Sequence, residues 1–229
     1  MNTSSVSLKR VSMSREIVGD DRKRHTKTVI NEVSLEIESG DRIGLIGRNG
    51  AGKTTLLRII SGIFNPDQGK TEIDGQIKSF LDLGYGLEMH LTGRLNAYSR
   101  SILDGVPKSE REEFVSWVEK FSELGDYFDQ TLNRYSTGMI ARLVFSMCTF
   151  EIPEILLIDE GIGTVDTYFQ EKAMARLEDI YNSSSILVIA THDQSLMRQL
   201  CKRGVVLNNG NIDFDGTLSD ALDFYNRDK

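Results

Sequence analysis

The sequence predicts an α/β protein in which a parallel-sheet core carries an antiparallel β subdomain and an inserted helical subdomain. Three observations favour this fold: alternating strands come first, buried strands then alternate with helices near both ends, and residues 92–150 have helical patterns. A chain of 229 residues with 39% hydrophobic side chains can form such a core as one domain. We expect 1–91 and 151–229 to form the core with its β subdomain, and 92–150 to form the helical subdomain.

The elements before residue 92 follow from alternation and turn signals. Val6 to Val11 and Val33 to Ile37 alternate apolar and polar residues, as half-buried strands do. A buried strand then leads into a helix that begins near Lys53. The turn at 65–69 should be followed by two short strands around Asp74-Gly75.

Apolar spacing predicts the remaining elements. In the helical subdomain, Ser109 and Glu112 have the spacing of a capping box before an apolar stripe. After Pro153 we expect a buried strand, a helix, a strand, a helix, a hairpin and a short terminal helix. Their markers are Ile155 to Ile158, Tyr168 to Tyr181, Ile186 to Ala190, Ser195 to Cys201, and the turn Asn209-Gly210.

A glycine-rich loop precedes the helix that begins near Lys53, and it fits the phosphate-binding pattern Gly-x4-Gly-Lys-Ser/Thr. Its glycines let backbone N–H groups turn toward phosphates, and the helix start adds a positive dipole. Lys53 supplies a compact cation, and the Thr54 hydroxyl is suited to ligate magnesium. The pattern predicts a nucleoside triphosphate held by Gly47, Arg48, Asn49, Gly50, Ala51, Gly52, Lys53, Thr54 and Thr55.

Three further polar residues follow strands, at the sheet edge where open α/β folds bind ligands. Asp159 is suited to hold magnesium, directly or through water, and Glu160 to activate a water as general base. An acidic pair alone is often solvated or caps a helix, but it is more specific downstream of a phosphate loop. His192 follows the strand ending near Ala190 and is placed to contact the γ-phosphate, although a lone histidine is usually a surface or capping residue.

Composition narrows the classes of partner and compartment. The net charge of −7 argues against a broad basic surface, so we expect no nucleic-acid partner. No uncharged apolar run approaches the ~20 residues that a membrane span requires, so we expect the chain to stay on the cytoplasmic side. Cys148 and Cys201 are isolated in apolar contexts, which predicts buried free thiols.

A second anion-binding corner comes from Ser136, Thr137 and Gly138, which precede an apolar helix. With this corner, the ordered motifs resemble those of the ATP-binding cassette (ABC) family, and the resemblance covers nearly the whole chain. It implies ATP and Mg²⁺ as ligands and a head-to-tail homodimer. Each ATP would lie between the phosphate loop of one subunit and Ser136, Thr137 and Gly138 of the other.

The resemblance also implies the catalytic residues and further contacts. Water placed by Glu160 would attack in line, and Lys53, magnesium and His192 would stabilise the developing charge. Asp166 matches the D-loop aspartate at the dimer seam. The usual Q-loop glutamine, a magnesium ligand in most members, is missing, and Asp82 is the nearest candidate replacement, because Gln76 lies too early and is predicted within a strand.

Several segments are similar to those of bacterial exporters of lipid-linked polysaccharides: O-antigen, capsule and teichoic acid. The signature at 135–139 departs from the common form as theirs does, and 81–86 and 91–96 match their loop patterns. This similarity implies a peripheral ATPase on the cytoplasmic face of the inner membrane, working with two copies of an integral membrane permease and only indirectly with the polysaccharide. Tyr85, between two glycines, would contact the glycolipid or the permease, or else pack on the helical subdomain.

The family normally stacks an early aromatic ring on adenine, but no Phe, Tyr or Trp precedes Phe64 here. We expect stacking by His25 or Met13, or weak stacking with affinity left mainly to the phosphates. The leading function is thus the ATPase motor of an exporter. The alternative is a soluble nucleotide switch acting on nucleic acid or ribosomes. The negative net charge and the exporter-like loop argue against this alternative.

Overall fold

The computed structural model describes residues 4–18, 23–81, 84–159 and 167–227. These residues form two compact units. The first contains the described residues up to 81 together with 153–159 and 183–227, and the second contains 84–152 and 167–182. The second unit therefore takes in more than the predicted 92–150, because 84–91 and the helix from 167 pack on its helices.

The first unit contains a three-stranded antiparallel sheet with β1 (Ser5–Val18) between β2 (Arg24–Glu38) and β4 (Gln68–Asp74). Its alternating apolar side chains face the core, so that Val6 is fully buried opposite Ile37. The β1–β2 hairpin extends well beyond the predicted strands, with pairs such as Ser14 and Thr28. These outer residues are mostly polar, so apolar alternation did not reveal them.

The first unit also contains a six-stranded sheet, in the order β5-β6-β7-β3-β8-β9. Its first five strands are parallel, and β9 is antiparallel to β8 at the edge. The strands are β3 (Arg42–Ile46), β5 (Ile77–Phe80), β6 (Ile155–Asp159), β7 (Ile186–Ala190), β8 (Arg203–Asn208) and β9 (Asn211–Thr217). The helices of this unit are α1 (Lys53–Ile60), α6 (Gln194–Leu200) and α7 (Leu218–Arg227).

Two predicted turns have different outcomes. Asn209 and Gly210 both have positive φ, +47° and +81°, and they join β8 to β9 as the predicted hairpin turn. The strands on either side of Asp74-Gly75 do not pair with each other, since β4 belongs to the three-stranded sheet and β5 to the six-stranded one. Gln76 lies between these strands rather than within one, and its N–H donates to the Glu154 carboxylate at 3.1 Å.

The second unit is helical: α2 (Gly93–Leu103), α3 (Arg111–Ser122), α4 (Thr137–Cys148), α5 (Thr167–Ser183), and the 3₁₀ turns Gly125–Asp129 and Leu132–Arg134. Phe114 and Val118 of the predicted apolar stripe are fully buried, and Trp117 stacks on Phe121 at 4.7 Å. The predicted capping box is wrong. The chain enters α3 through Glu110, whose side chain caps nothing, and Ser109 lies in the preceding turn.

Contacts with polar backbone groups attach α5 to this unit. Arg176 donates three hydrogen bonds to the Thr149 and Phe150 carbonyls at 2.6–2.8 Å, just beyond the end of α4. Lys172 donates to the Phe121 carbonyl at 2.9 Å. Cys148 and Cys201 are buried and free of disulfides, as predicted. Among the helices in the described ranges, none combines the length and the apolar character needed to cross a membrane.

Candidate nucleotide-binding site

The phosphate loop joins β3 to α1 and lies directly against β8. A Cβ atom on Gly47 would come within 2.4 Å of the Leu207 carbonyl oxygen, so only glycine fits there without a shift. Gly52, with φ of +110°, precedes α1, and its carbonyl accepts from the Leu56 N–H at 2.8 Å. The loop is also attached to the turn between β8 and β9, because the Gly210 N–H donates to the Ala51 carbonyl at 3.0 Å.

Lys53 opens α1 and folds back over the loop. Its ammonium donates to the carbonyl oxygens of Gly47 and Arg48 at 2.8 and 3.1 Å. The first amides of a helix have no partner within the helix and carry the positive end of its dipole. A cation and outward-directed amides therefore occur in the same turn, which is the arrangement that binds phosphate.

Asp159 and residues of the phosphate loop line the same cavity, which has a volume of about 240 Å³. Asp159 ends β6, beside Ala190 of β7. The other residues that line the cavity are Val29, Asn49, Gly50, Gly52, Lys53, Thr54 and Thr55. Seven of these eight residues were predicted from the sequence, and Val29 was not, because nothing in the alternation of β2 marks it.

The donor set of this cavity fits Mg²⁺. It offers two threonine hydroxyls and one carboxylate, the hard oxygen ligands that Mg²⁺ uses together with waters and substrate phosphates. Among the described residues, no cluster of three or more His, Cys, Asp or Glu side chains is suited to hold a metal alone.

His192 lies on a second, smaller cavity of about 100 Å³, which also includes Lys53 and Gly47. The turn that carries His192 is held on both sides. The Asp193 N–H donates to the Thr191 hydroxyl at 3.1 Å, and the Asp193 carboxylate accepts from the N–H groups of Ser195 and Leu196. The hydrogen bond from the Ser195 hydroxyl, together with the Leu196 amide, lowers the pKa of Asp193.

The predicted second corner is an exposed helix start in the second unit. The Ser136 hydroxyl accepts from the Met139 N–H at 3.2 Å and so caps α4, while Thr137 is exposed and Gly138 half-buried. Tyr135 is buried beneath it, and its hydroxyl donates to the Tyr127 carbonyl at 2.7 Å. Burial raises the pKa of Tyr135 to about 12, so that hydroxyl keeps its proton at neutral pH.

Three predicted residues lie outside the described residues: Asp82, Glu160 and Asp166. Of the two candidates for adenine stacking, Met13 packs against the hydrophobic core, and His25 is exposed opposite Ile17 in the β1–β2 hairpin. Met13 is thus partly buried against the core, and stacking on adenine by either residue, or weak stacking, stays a prediction.

Comparison with known proteins identifies the family. Residues 30–163 match the family described as ABC transporter, a range that includes the phosphate loop, the Ser136 corner and β6. The chain belongs to the ABC transporter family. As an ABC cassette it is an ATP-binding protein and an ATPase, as the motifs predict.

Known relatives of this ABC chain belong to export systems. It is 41% identical over 205 residues to the O-antigen export system ATP-binding protein RfbE of Yersinia enterocolitica, covering 90% of this chain and 86% of the relative. It is 34% identical to the O-antigen export system ATP-binding protein RfbB of Myxococcus xanthus, covering 86% of this chain and 45% of the relative. It is 30% identical to the teichoic acids export ATP-binding protein TagH of Lactococcus lactis, covering 93% of this chain and 46% of the relative. The chain therefore spans less than half the length of the last two.

Solved structures confirm the predicted fold. The structure described as a dimeric, post-hydrolysis state of the ATP-binding cassette MJ0796 bound to ADP and Pi superposes with a TM-score of 0.70. Sequence identity is 24%, and the match covers 93% of this chain and 98% of that chain.

Proposed function

We propose that this ABC ATPase is the nucleotide-binding subunit of a bacterial exporter of a lipid-linked polysaccharide, of the O-antigen, capsule or teichoic-acid class. The ATPase part rests on one observation: Lys53, Thr54, Asp159 and His192 line two cavities at the phosphate loop. The export part rests on the relatives, which are ATP-binding proteins of O-antigen and teichoic-acid export systems.

The residues divide the work of ATP hydrolysis among them. Lys53 and the first amides of α1 bind the β- and γ-phosphates, and Thr54 and Asp159 hold Mg²⁺, with Asp82 as a further candidate ligand. Mg²⁺, when bound, would neutralise negative charge on the phosphate oxygens. Glu160, next to Asp159 in the chain, orients the attacking water and accepts its proton, while His192 stabilises charge on the γ-phosphate.

A second copy of the chain completes each site. Ser136 and Thr137 are exposed at the start of α4, where a helix dipole and a hydroxyl favour an anion. In a head-to-tail homodimer this corner and Gly138 contact the ATP held by the phosphate loop of the partner, with Asp166 at the seam. Two structural neighbours that are described as dimeric cassettes support this arrangement.

An exposed apolar patch in the second unit supports docking to a permease at the cytoplasmic face of the inner membrane. Tyr85 is 64% exposed, and Ile102 and Leu103 are about half exposed. The segment around Tyr85 lies on α2, since the Tyr85 carbonyl accepts from Arg100 at 3.2 Å. Adjacent exposed apolar side chains of this kind mark interaction surfaces.

The test compares Glu160→Gln with Tyr85→Ala, measuring ATP turnover of the purified protein and polysaccharide at the cell surface. Glu160→Gln should bind ATP, accumulate as a dimer and lose both turnover and export. Tyr85→Ala should keep turnover and lose export, because the patch serves the permease. Wild-type turnover in Glu160→Gln would remove Glu160 from the base role. Copurification with RNA or DNA instead of a polytopic membrane protein would overturn the export function.

A further inference from the structure

Segment 84–92, which carries Tyr85, lies directly on α2. Gly86 has a φ of +77°, and a Cβ atom there would come within 2.6 Å of the Leu103 side chain at the end of α2. Arg100 of α2 donates to the Tyr85 carbonyl at 3.2 Å. The exposed apolar patch therefore combines a side chain of this segment with side chains of α2, and its shape depends on how the segment is held.

The Asn96 side chain holds the second half of this segment. Asn96 belongs to α2 and is only 1% exposed. Its Oδ1 accepts from the Glu88 N–H at 2.8 Å, and its Nδ2 donates to the Glu88 carbonyl at 3.0 Å. The same Nδ2 donates to the carbonyl oxygens of Leu91 and Thr92 at 3.3 and 2.9 Å. One buried carboxamide thus uses both of its polar atoms on the backbone of the segment.

Backbone hydrogen bonds join the same segment to residues 130–133. The Asn133 N–H donates to the Met89 carbonyl at 3.0 Å, and the Leu132 N–H donates to the Leu91 carbonyl at 3.0 Å. These bonds do not involve the Asn96 side chain, so they remain when it is removed. Loss of the carboxamide should therefore loosen the turn at the start of α2 without unfolding the second unit.

A loosened turn changes the surface that the patch presents. Without Asn96, the Glu88 N–H loses its acceptor, and a backbone donor without a partner favours other conformations in which water reaches it. Glu88 lies three residues after Tyr85. Ordering a mobile segment on binding costs free energy, so a partner binds best to a segment that already has one shape.

We propose that Asn96 is a positioning residue for docking of the permease: its carboxamide keeps segment 84–92 in the shape that presents Tyr85 beside Leu103. The inference rests on the proposed export function and on docking of the patch. Because Asn96 is buried, it acts through the segment and contacts neither the permease nor ATP.

Ser101 provides a matched control on the same helix. It is also a buried polar residue of α2, with no exposed surface, and its hydroxyl donates to the Tyr98 carbonyl at 2.6 Å within the helix. Ser101→Ala removes a buried hydrogen bond from α2 and leaves those of segment 84–92 in place.

The experiment measures kcat and KM for ATP of the purified protein, amide hydrogen exchange, and polysaccharide at the cell surface. In Asn96→Ala, the Glu88 amide should exchange at least about tenfold faster, because its acceptor is gone. Export should fall about tenfold at equal protein level, while kcat and KM stay within about twofold, since no ATP contact is lost. Ser101→Ala should keep wild-type exchange in segment 84–92 and wild-type export.

Several results would overturn the proposal. Unchanged exchange at Glu88, wild-type export in Asn96→Ala, an equal fall of kcat and export, or the same export loss in Ser101→Ala would each do so. If Asn96→Ala does not fold, Asn96→Ser, which keeps a hydroxyl in the buried site, takes its place. Wild-type export in Tyr85→Ala would instead refute docking by the patch, and with it this inference, so the two failures are distinguishable.

Discussion

Gly47 is the glycine of the phosphate loop with the least room for a side chain. Its missing side chain lets the loop approach β8, where the Leu207 carbonyl oxygen would lie 2.4 Å from an added Cβ and the Ala51 Cβ 3.1 Å from it. Backbone atoms cannot move aside as the tip of a side chain can. Any residue larger than glycine therefore displaces the loop rather than its neighbour.

Gly47→Ala should weaken ATP binding by at least about tenfold, because the displaced amides no longer converge on the phosphates, and should cost about 1–3 kcal/mol of stability. Gly62→Ala is the matched control. Gly62 has φ of +75° and nothing within 4 Å of an added Cβ, so alanine there costs about 1–2 kcal/mol through left-handed strain alone. Equilibrium titration with ATP and urea unfolding would separate the two effects. Wild-type affinity in Gly47→Ala would contradict the steric argument.

The sequence predicts the phosphate loop, Asp159 and His192 as site residues, because their spacing relative to strands and helices is local information, and the structure places Lys53, Asp159 and His192 on the two cavities. The sequence did not identify Val29 or Tyr225, which reach the cavities from β2 and α7. Their positions depend on how distant elements pack, and no short pattern marks them.

Two helices of the second unit begin in the same way, and only one of them carries the proposed signature. Ser136 caps α4 through the Met139 N–H at 3.2 Å, and Thr92 caps α2 through the Leu95 N–H at 3.1 Å. The caps have the same chemistry and nearly the same geometry. A comparison between them isolates the functional contribution of Ser136 from its structural one.

Ser136→Ala and Thr92→Ala should each cost about 1 kcal/mol of stability, the usual value of a lost N-cap. Only Ser136→Ala should also lower ATP turnover, by about tenfold or more, because a hydroxyl that contacts the partner's ATP is removed. Thermal unfolding and steady-state ATPase assays would measure both quantities. Equal turnover in the two variants would mean that Ser136 is a cap and nothing more.

Element type was more predictable than element pairing and element ends. The buried strands β6 and β7 were evident because both of their faces are covered, which gives unbroken apolar runs. The separation of β4 from β5 was not, since a turn signal does not tell which sheet the next strand joins. The Ser109 capping box failed because the turn closed by Glu110 N–H and the Pro107 carbonyl moves the start of α3 to Arg111.

In the first unit, the order of the six-stranded sheet collects the nucleotide site from separate parts of the chain. β6, β7 and β3 are adjacent and parallel, so their carboxyl ends lie at one edge. Asp159, His192 and the phosphate loop each follow one of these strands. The buried strands predict that the sheet is parallel. They do not predict which strands are neighbours in it.

Buried ionisable groups make the whole molecule sensitive to alkali. Burial raises the pKa of Tyr135, Tyr181 and Cys201 to about 12 each. The unfolded chain releases these protons from about pH 8.5 for Cys and about pH 10 for Tyr, whereas the folded protein keeps them to higher pH. The stabilising contribution of these groups is therefore complete below those values and is lost as the pH rises through the folded pKa values.

Tyr181→Phe should accordingly lose less stability between about pH 9 and pH 11 than the wild type, because one of the linked protons is gone. Urea unfolding at several pH values measures this slope. Tyr85→Phe, a change at an exposed side chain, should keep the wild-type slope. Identical slopes in Tyr181→Phe and the wild type would show that Tyr181 ionises alike in both states.

The hydrogen bond from Gly210 to Ala51 joins the phosphate loop to a segment that is made much later in synthesis. Residues 47–55 leave the ribosome early, yet the β8–β9 hairpin that borders them is made more than 150 residues later. Contacts between such distant segments close large loops and form slowly. The phosphate loop therefore gains this contact only after the turn between β8 and β9 has been synthesised.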